Sequence, residues 1–250
     1  MPHVHLIFES LAYLIAGQAF WWQRRRMGDA LDVPNRWLVA GAAVLGASIG
    51  SRLLAAFEGP PWTWWTPEAL SGKTLVGALL GGLIAVEAAK WAVGIRRSTG
   101  DLYAVPLCLG IAVGRIGCFL TGLPDQTHGS PTSLPWGHNY GDGIRRHPAQ
   151  LYEIAFVSLL AVFLRRTRGA NWRLREGDEF KLFLASYLAF RLAIDFLKPG
   201  FPVAGLTAVQ WICVAGVLYY GRDIQRWLTA PGPTSSTTPV SPSAPSVSAK

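Results

Sequence analysis

Two arginines sit where arginines are costly. Arg115 lies inside an apolar run, wrapped as Gly114-Arg115-Ile116-Gly117 with Gly110 one turn earlier. Arg191 lies inside another, with Tyr187 four residues before it, Asp195 four residues after and Lys198 at seven. At helical spacing those four residues form one polar stripe, and Asp195 is placed to hold Arg191. Small residues around Arg115 permit close helix–helix approach, but they do not account for an Arg among them. A guanidinium grips phosphate through two parallel N–H···O bonds, so two in a dry interior suit an anion with several oxygens. Where the surroundings are a bilayer, the plentiful anion of that kind is a phospholipid headgroup.

Two polar runs flank these arginines. The first is a loop, Asp125-Gln126-Thr127-His128-Gly129-Ser130-Pro131-Thr132-Ser133-Leu134-Pro135-Trp136-Gly137. It is rich in turn formers, yet a loop of roughly 25 residues in a compact bundle is more often functional or disordered than idle. The second is Arg146-His147-Pro148-Ala149-Gln150-Leu151-Tyr152-Glu153. Pro148 suits the first turn of a helix, and His147, Gln150 and Glu153 recur every three residues down it. His128 and His147 are the in-chain candidates for a general base.

The elements that carry these groups read as membrane helices. The chain has 250 residues, half of them hydrophobic, and only 15% charged. That composition excludes a disordered chain, and three Cys exclude a disulfide scaffold. Seven apolar segments have roughly the length a bilayer needs: Leu6–Trp22, Trp37–Phe57, Thr74–Gly94, Leu102–Thr121, Pro148–Leu164, Phe180–Leu197 and Thr207–Gly221. No alternating strand pattern of a membrane barrel appears. The expected fold is an all-α polytopic membrane protein of seven transmembrane helices. The first is a retained helix rather than a signal peptide, since no basic leader or small-residue cleavage site accompanies it.

Basic residues set the orientation. One set of loops holds Arg24, Arg25, Arg26 and Arg36, then Arg96 and Arg97, the stretch from Arg165 to Lys181, and Arg222 with Arg226. The opposite loops hold Lys73, Arg145, Arg146 and Lys198. Positive charge collects on the cytoplasmic side, which predicts the N-terminus out and the C-terminus in. The net charge of +8 is then a topology signal with some attraction to anionic headgroups, and no basic, aromatic-studded module suggests nucleic acid. Trp62, Trp64, Trp65 and Trp136 fall in the outer loops, where interfacial anchoring is expected. Residues 1–228 form the predicted transmembrane domain. Residues 229–250, rich in Pro, Ser and Thr, read as a disordered cytoplasmic tail.

Eight ionisable residues fall inside the predicted spans: Arg52, Lys90, Arg115, Arg191, Glu9, Glu87, Glu153 and Asp195. Each costs roughly 2.5–3.5 kcal/mol at a helix centre, so all are expected to face the bundle interior or a wet cavity. Glu87 and Lys90, three apart, are expected to pair. Other motifs fail. Ser71-Gly72-Lys73-Thr74 is like the end of a phosphate-binding loop, but its first glycine would be Pro67. No His falls at metal-ligand spacing with Cys or acids, so no metal is predicted. Cys108, Cys118 and Cys213 lie in spans and read as inert fillers.

Taken together, Gly114-Arg115-Ile116-Gly117-Cys118-Phe119, the Gly129 to Gly137 segment, Arg146 to Glu153, and Phe190-Arg191 followed by Asp195-Phe196 resemble the bacterial prolipoprotein diacylglyceryl transferase family. The similarity spans roughly residues 6–225. It implies a multi-pass enzyme of the bacterial plasma (inner) membrane. Such an enzyme moves the diacylglyceryl group of phosphatidylglycerol onto the lipobox cysteine of a prolipoprotein, releasing glycerol phosphate, without metal or other cofactor. Its partners would be phosphatidylglycerol, the prolipoprotein and membrane lipids. The resemblance places the family's signature arginine on Arg115 and its second on Arg191. It places the helical acid on Asp195 in place of Glu, the tyrosine on Tyr187 and the loop glycine on Gly129. Catalytic candidates are Arg115, Arg191, His147 and His128. The phospholipid-binding and supporting set is Arg115, Arg191, Asp195, Tyr187, Gly129, Asp125, Gln150 and Glu153. Three positions depart from the pattern. Gly77 stands where many members carry a histidine, Cys118 replaces an asparagine, and Asp125 is the nearest match to a loop acid. With these departures, either the usual base was never essential or His128 or His147 substitutes for it. The departures also admit a same-fold transferase with another lipid donor or acceptor, or a non-catalytic lipid-binding or transport protein.

Overall fold

The computed structural model describes residues 2–29, 31–169 and 174–229. The described helices are α1 (Pro2–Met27), α2 (Val33–Ala56), α3 (Pro67–Ser71), α4 (Leu75–Ala92), α5 (Ala104–Thr121), α6 (Ala149–Gly169), α7 (Asp178–Ile194), α8 (Ala208–Tyr219) and α9 (Gly221–Thr229). A two-stranded antiparallel ladder, β1 (His138–Asn139) and β2 (Arg145–Arg146), pairs His138 with Arg146 in the α5–α6 loop. Each apolar segment read from the sequence overlaps one of the helices α1, α2 and α4–α8. Four of them are long and apolar enough to cross a membrane: Val4–Met27, Val33–Ala56, Leu75–Ala92 and Ala104–Thr121. Helix α6 carries Glu153 near its start and Arg165, Arg166 and Arg168 near its end, while α7 and α8 have 17 and 12 residues. The tail expected over 229–250 lies, beyond Thr229, outside the described residues.

Glycine sets the spacing of two helix pairs. A Cβ on Gly50 would fall 2.4 Å from the Gly77 carbonyl oxygen, and one on Gly77 only 2.3 Å from the Gly50 oxygen. Backbones of α2 and α4 therefore touch, and any side chain at either position would force them apart. Gly110 and Gly117 do the same for α1 against α5, where a Cβ on Gly117 would lie 2.5 Å from Phe8 Cβ. The glycines around Arg115 thus serve α1, and Arg115 itself turns toward α6 and α7. Thr74 explains the rejected phosphate-loop likeness: its hydroxyl caps α4 by accepting from the Gly77 N–H, and it donates to the Ser51 carbonyl.

The apolar core runs between α5, α6, α7 and α8, through Val105, Cys108, Val157, Leu164, Phe183, Leu188, Val209 and Cys213. Outside, Leu14, Val44, Leu45, Ile49, Ile84, Leu159 and Leu218 are largely exposed. Inside, Gln150, Glu153, Arg191 and Asp195 are buried. Polar groups inward and large apolar groups outward is the arrangement a lipid surround stabilises. The Arg-rich end is tied by ion pairs. Arg226 forks onto Asp178 at 2.9 and 2.7 Å, Arg168 pairs with Glu179, and the Asp101 carboxylate accepts from Gly177 and Phe180 N–H at the start of α7. Glu87 and Lys90 pair at 2.8 Å as expected. Two of the expected interior charges do not face inward, however: Arg52 and Glu87 are exposed. Both lie within a turn or two of a helix end, where a long stem carries its charge out to the interface.

Candidate active site

The helical stripes decide which charges meet. Arg115 descends from α5, Glu153 from the second turn of α6, and Tyr187, Arg191 and Asp195 recur at four-residue intervals along and just past α7. Glu153 is the hub. Its Oε2 lies 2.9 Å from Arg115 Nε and 3.6 Å from Arg191 Nη1, and its Oε1 accepts from the Tyr187 hydroxyl at 2.6 Å. With 1% of its side chain exposed, this carboxylate is a fixed anion between two cations. Asp195 holds Arg191 from the other side, Oδ1 to Nη2 at 2.7 Å. Lys198 follows as a third cation, Nζ 3.9 Å from Asp195 Oδ1.

The contacts are close in distance but do not use up the donors. Arg191 Nε is a buried donor that makes no hydrogen bond, while Arg115 Nε is taken up by its ion pair with Glu153 at 2.9 Å. Arg115 Nη1 reaches only the Cys118 sulfur, at 3.8 Å, and its Nη2 has no hydrogen-bond partner among the described residues. A buried donor left unpaired costs about 1–3 kcal/mol, so this cluster is set up to accept a further anion. Lys198 responds to the same field. Burial, then Arg191 and Arg115, pull its amine down to about 8 against the opposing pull of Glu153 and Asp195. Glu58, in the loop after α2, also faces the cluster. Burial and Asp195 push its carboxyl up, while Arg191 and Lys198 oppose that rise.

The long loop forms a second polar group beside the first. The Thr127 hydroxyl donates to Asp125, Gln150 Nε2 donates to Thr127 at 3.1 Å, and the Tyr140 hydroxyl donates to Gln150 Oε1 at 2.9 Å. Gln150 and Asp125 therefore order the loop, and among the described residues neither bonds to an arginine. Gly129 shows why a glycine is needed there. Its N–H donates to the His147 carbonyl at 2.8 Å, and the next N–H, of Ser130, donates to the Leu197 carbonyl at 2.7 Å. A Cβ on Gly129 would lie 2.6 Å from His147 Cβ and 2.8 Å from the Leu197 oxygen. The loop is pinned between the head of α6 and the end of α7. His147 is half-buried with Nδ1 3.3 Å from the Tyr152 hydroxyl, and His128 Nδ1 lies 3.1 Å from the Gly129 oxygen. Neither imidazole bonds to Arg115, Arg191 or Glu153 among the described residues.

Of the site residues read from the sequence, Arg115, Arg191, Asp195, Tyr187 and Glu153 come together. Gln150, Asp125, His128, Gly129 and His147 line the adjoining loop. Gly77 is not at the site, because it packs against the α2 backbone, where no histidine would fit. Lys198, already on the α7 stripe by its spacing, joins the site as a third cation. Sequence reasoning missed two loop residues. Thr127 and Tyr140 carried no signal among many loop hydroxyls. The sequence reading offered no metal-ligand set; among the described residues His5, Cys118 and Asp125 bring one nitrogen, one sulfur and one oxygen within 4.8 Å of one another. They come from α1, α5 and the turn after α5, so spacing along the chain could not reveal them.

Comparisons with known proteins point to one family. A family model described as prolipoprotein diacylglyceryl transferase matches residues 6–221. The phosphatidylglycerol–prolipoprotein diacylglyceryl transferase of Nitratidesulfovibrio vulgaris is 30% identical over 246 residues, covering 89% of each chain. The protein of the same name from Chromohalobacter salexigens is 31% identical over 223 residues, 84% of this chain and 81% of its own. That from Bordetella parapertussis is 32% identical over 192 residues, 70% of this chain and 71% of its own.

Proposed function

The chain belongs to the prolipoprotein diacylglyceryl transferase family, and from that premise we propose that it transfers the diacylglyceryl group of phosphatidylglycerol to the lipobox cysteine thiol of a prolipoprotein, releasing glycerol phosphate. The observation that carries the reading is the convergence of Arg115 and Arg191 on one buried point, marked by Glu153 Oε2. Seven spans, with the N-terminus outside and the Arg-rich loops in the cytoplasm of a bacterial inner membrane, place that point toward the outer leaflet.

The lipid enters sideways from the bilayer, and Arg115 and Arg191 take its phosphate oxygens. Glu153, Tyr187 and Asp195 hold the guanidiniums at fixed angles, so little reorganisation accompanies the reaction. Preorganised cations aimed at developing charge are usually the largest catalytic term. The cysteine sulfur attacks the diacylglyceryl carbon that bears the phosphate ester. A C–S bond forms, the C–O bond breaks, and its electron pair leaves on the phosphate oxygen beside the two arginines. A free thiol has a pKa of about 8.5, so its proton must be drawn off. It goes to His147 or His128, the two half-buried imidazoles of the pinned loop, and the single variants His147→Ala and His128→Ala decide between them. The donor lipid carries its own leaving group, so the step calls for no nucleotide.

The test uses the purified protein in detergent with phosphatidylglycerol and a lipobox peptide. Mass spectrometry is expected to find a diacylglyceryl increment on the peptide's cysteine and none on a peptide with serine there. No increment from folded protein would refute the reading. An increment obtained only with another lipid, or only on another acceptor, would favour a same-fold transferase of different specificity, the reading that Gly77 and Cys118 raise.

A further inference from the structure

We infer that His5, Cys118 and Asp125 form a binding site for a thiophilic divalent cation such as Zn2+, beside Arg115. Three side chains from separate parts of the chain bring Nδ1 or Nε2, Sγ and a carboxylate oxygen within 4.8 Å of one another. A tetrahedral zinc site, with bonds of about 2.0–2.3 Å, spaces its ligand atoms roughly 3.3–3.7 Å apart, so small side-chain shifts close the set. One nitrogen, one sulfur and one oxygen suit Zn2+ and disfavour Ca2+ or Mg2+, which take oxygen ligands.

Independent details support a ligand here. His5 Nδ1 is a buried atom that makes no hydrogen bond, although it lies 3.3 Å from Asp125 Oδ1. Asp125 is oriented by the Thr127 hydroxyl on its other oxygen, and Thr127 is itself held by Gln150. Outer contacts of that sort are what fix a ligating carboxylate. Asp125 is 10% exposed and His5 43%, so an ion has a path in from the His5 side.

Charge balance works. On binding, Cys118 loses its thiol proton to solvent, and the thiolate and the Asp125 carboxylate together neutralise a 2+ ion. The neighbouring Arg115 guanidinium, 3.8 Å from Sγ, then faces a neutral unit rather than a bare cation. Since Cys118 is a contact of Arg115, metal occupancy pulls on a side chain that touches the phosphate-gripping arginine. The site itself does not depend on the transferase reading.

The test is optical. Reduced, chelator-stripped, full-length protein in detergent is titrated with Co2+ and then with Zn2+. One Co2+ per chain is expected, with a thiolate-to-cobalt charge-transfer band that Zn2+ abolishes. Cys118→Ser should lose the band, while Cys108→Ser and Cys213→Ser, whose thiols lie in the core, should keep it. Asp125→Asn and His5→Ala should each weaken binding by at least the roughly 10- to 100-fold that even outer contacts of a metal site are worth. His5 lies in the first turn of α1, outside the buried core, so His5→Ala reports on the site without disturbing that core. No band in the wild type, a band that persists in Cys118→Ser, or wild-type affinity in His5→Ala overturns the proposal. Transfer activity is measured separately, so its loss or retention cannot be mistaken for the fate of the metal site.

Discussion

Arg115→Lys keeps the positive charge and removes the fork. In the structure Arg115 uses Nε toward Glu153 at 2.9 Å and Nη1 weakly toward the Cys118 sulfur, which leaves Nη2 as its open donor. A lysine has one nitrogen on its stem. It can neutralise Glu153 or reach the phosphate, but it cannot do both with the same geometry. The variant therefore gives up about one transition-state donor, worth roughly 10²–10³ in rate, or about 2.7–4 kcal/mol. Stability should change much less, because Glu153 keeps a cation beside it. Arg115→Ala is the contrast. It leaves the buried carboxylate to Arg191, at 3.6 Å, and Tyr187, and breaking a buried pair from one side costs about 3–5 kcal/mol. The assay is the initial rate of diacylglyceryl transfer to a lipobox peptide, with thermal unfolding in the same detergent as the check on folding. Arg115→Lys is expected to melt near the wild type and transfer about 10²-fold or more slowly. A lysine variant within about threefold of wild-type rate would refute the claim that a forked donor grips the phosphate.

Three more outcomes follow from the same contacts. Gly129→Ala puts a methyl 2.6 Å from His147 Cβ and 2.8 Å from the Leu197 oxygen, so it should lower stability by about 1–3 kcal/mol and unpin the loop, read by thermal unfolding and limited proteolysis. Tyr187→Phe removes the 2.6 Å hydrogen bond to Glu153 and leaves a buried carboxylate oxygen short of a donor, a loss of about 1–3 kcal/mol by denaturation, with transfer slowed as the arginines lose their fixed anchor. Lys198 is held down to about 8 by burial and by Arg191 and Arg115, with Asp195, Glu153 and Glu58 facing it. It is charged below that pH and neutral above it, so kcat/KM for phosphatidylglycerol should lose this cation's contribution as pH rises through about 8. Lys198→Arg stays charged, and the ratio of the two pH profiles removes the common rise from the acceptor thiol. A flat ratio would mean that Lys198 does not face the lipid phosphate.

Local sequence carried much of this protein. Apolar runs marked the positions of α1, α2 and α4–α8, and four-residue spacing put Tyr187, Arg191 and Asp195 on one face, because helical periodicity is a property of neighbours along the chain. The Gly-Arg-x-Gly run marked Arg115 as costly and therefore purposeful. What periodicity could not supply was partnership across elements. That both arginines share Glu153, that Gly129 is squeezed between His147 and Leu197, and that Gly77 faces Gly50 rather than the site all depend on how helices far apart in sequence pack. The same holds for His5, Cys118 and Asp125. A lone histidine, cysteine or aspartate carries no local pattern, and only the closing of α1 on α5, set by glycines at the interface, brings the three within reach of one ion.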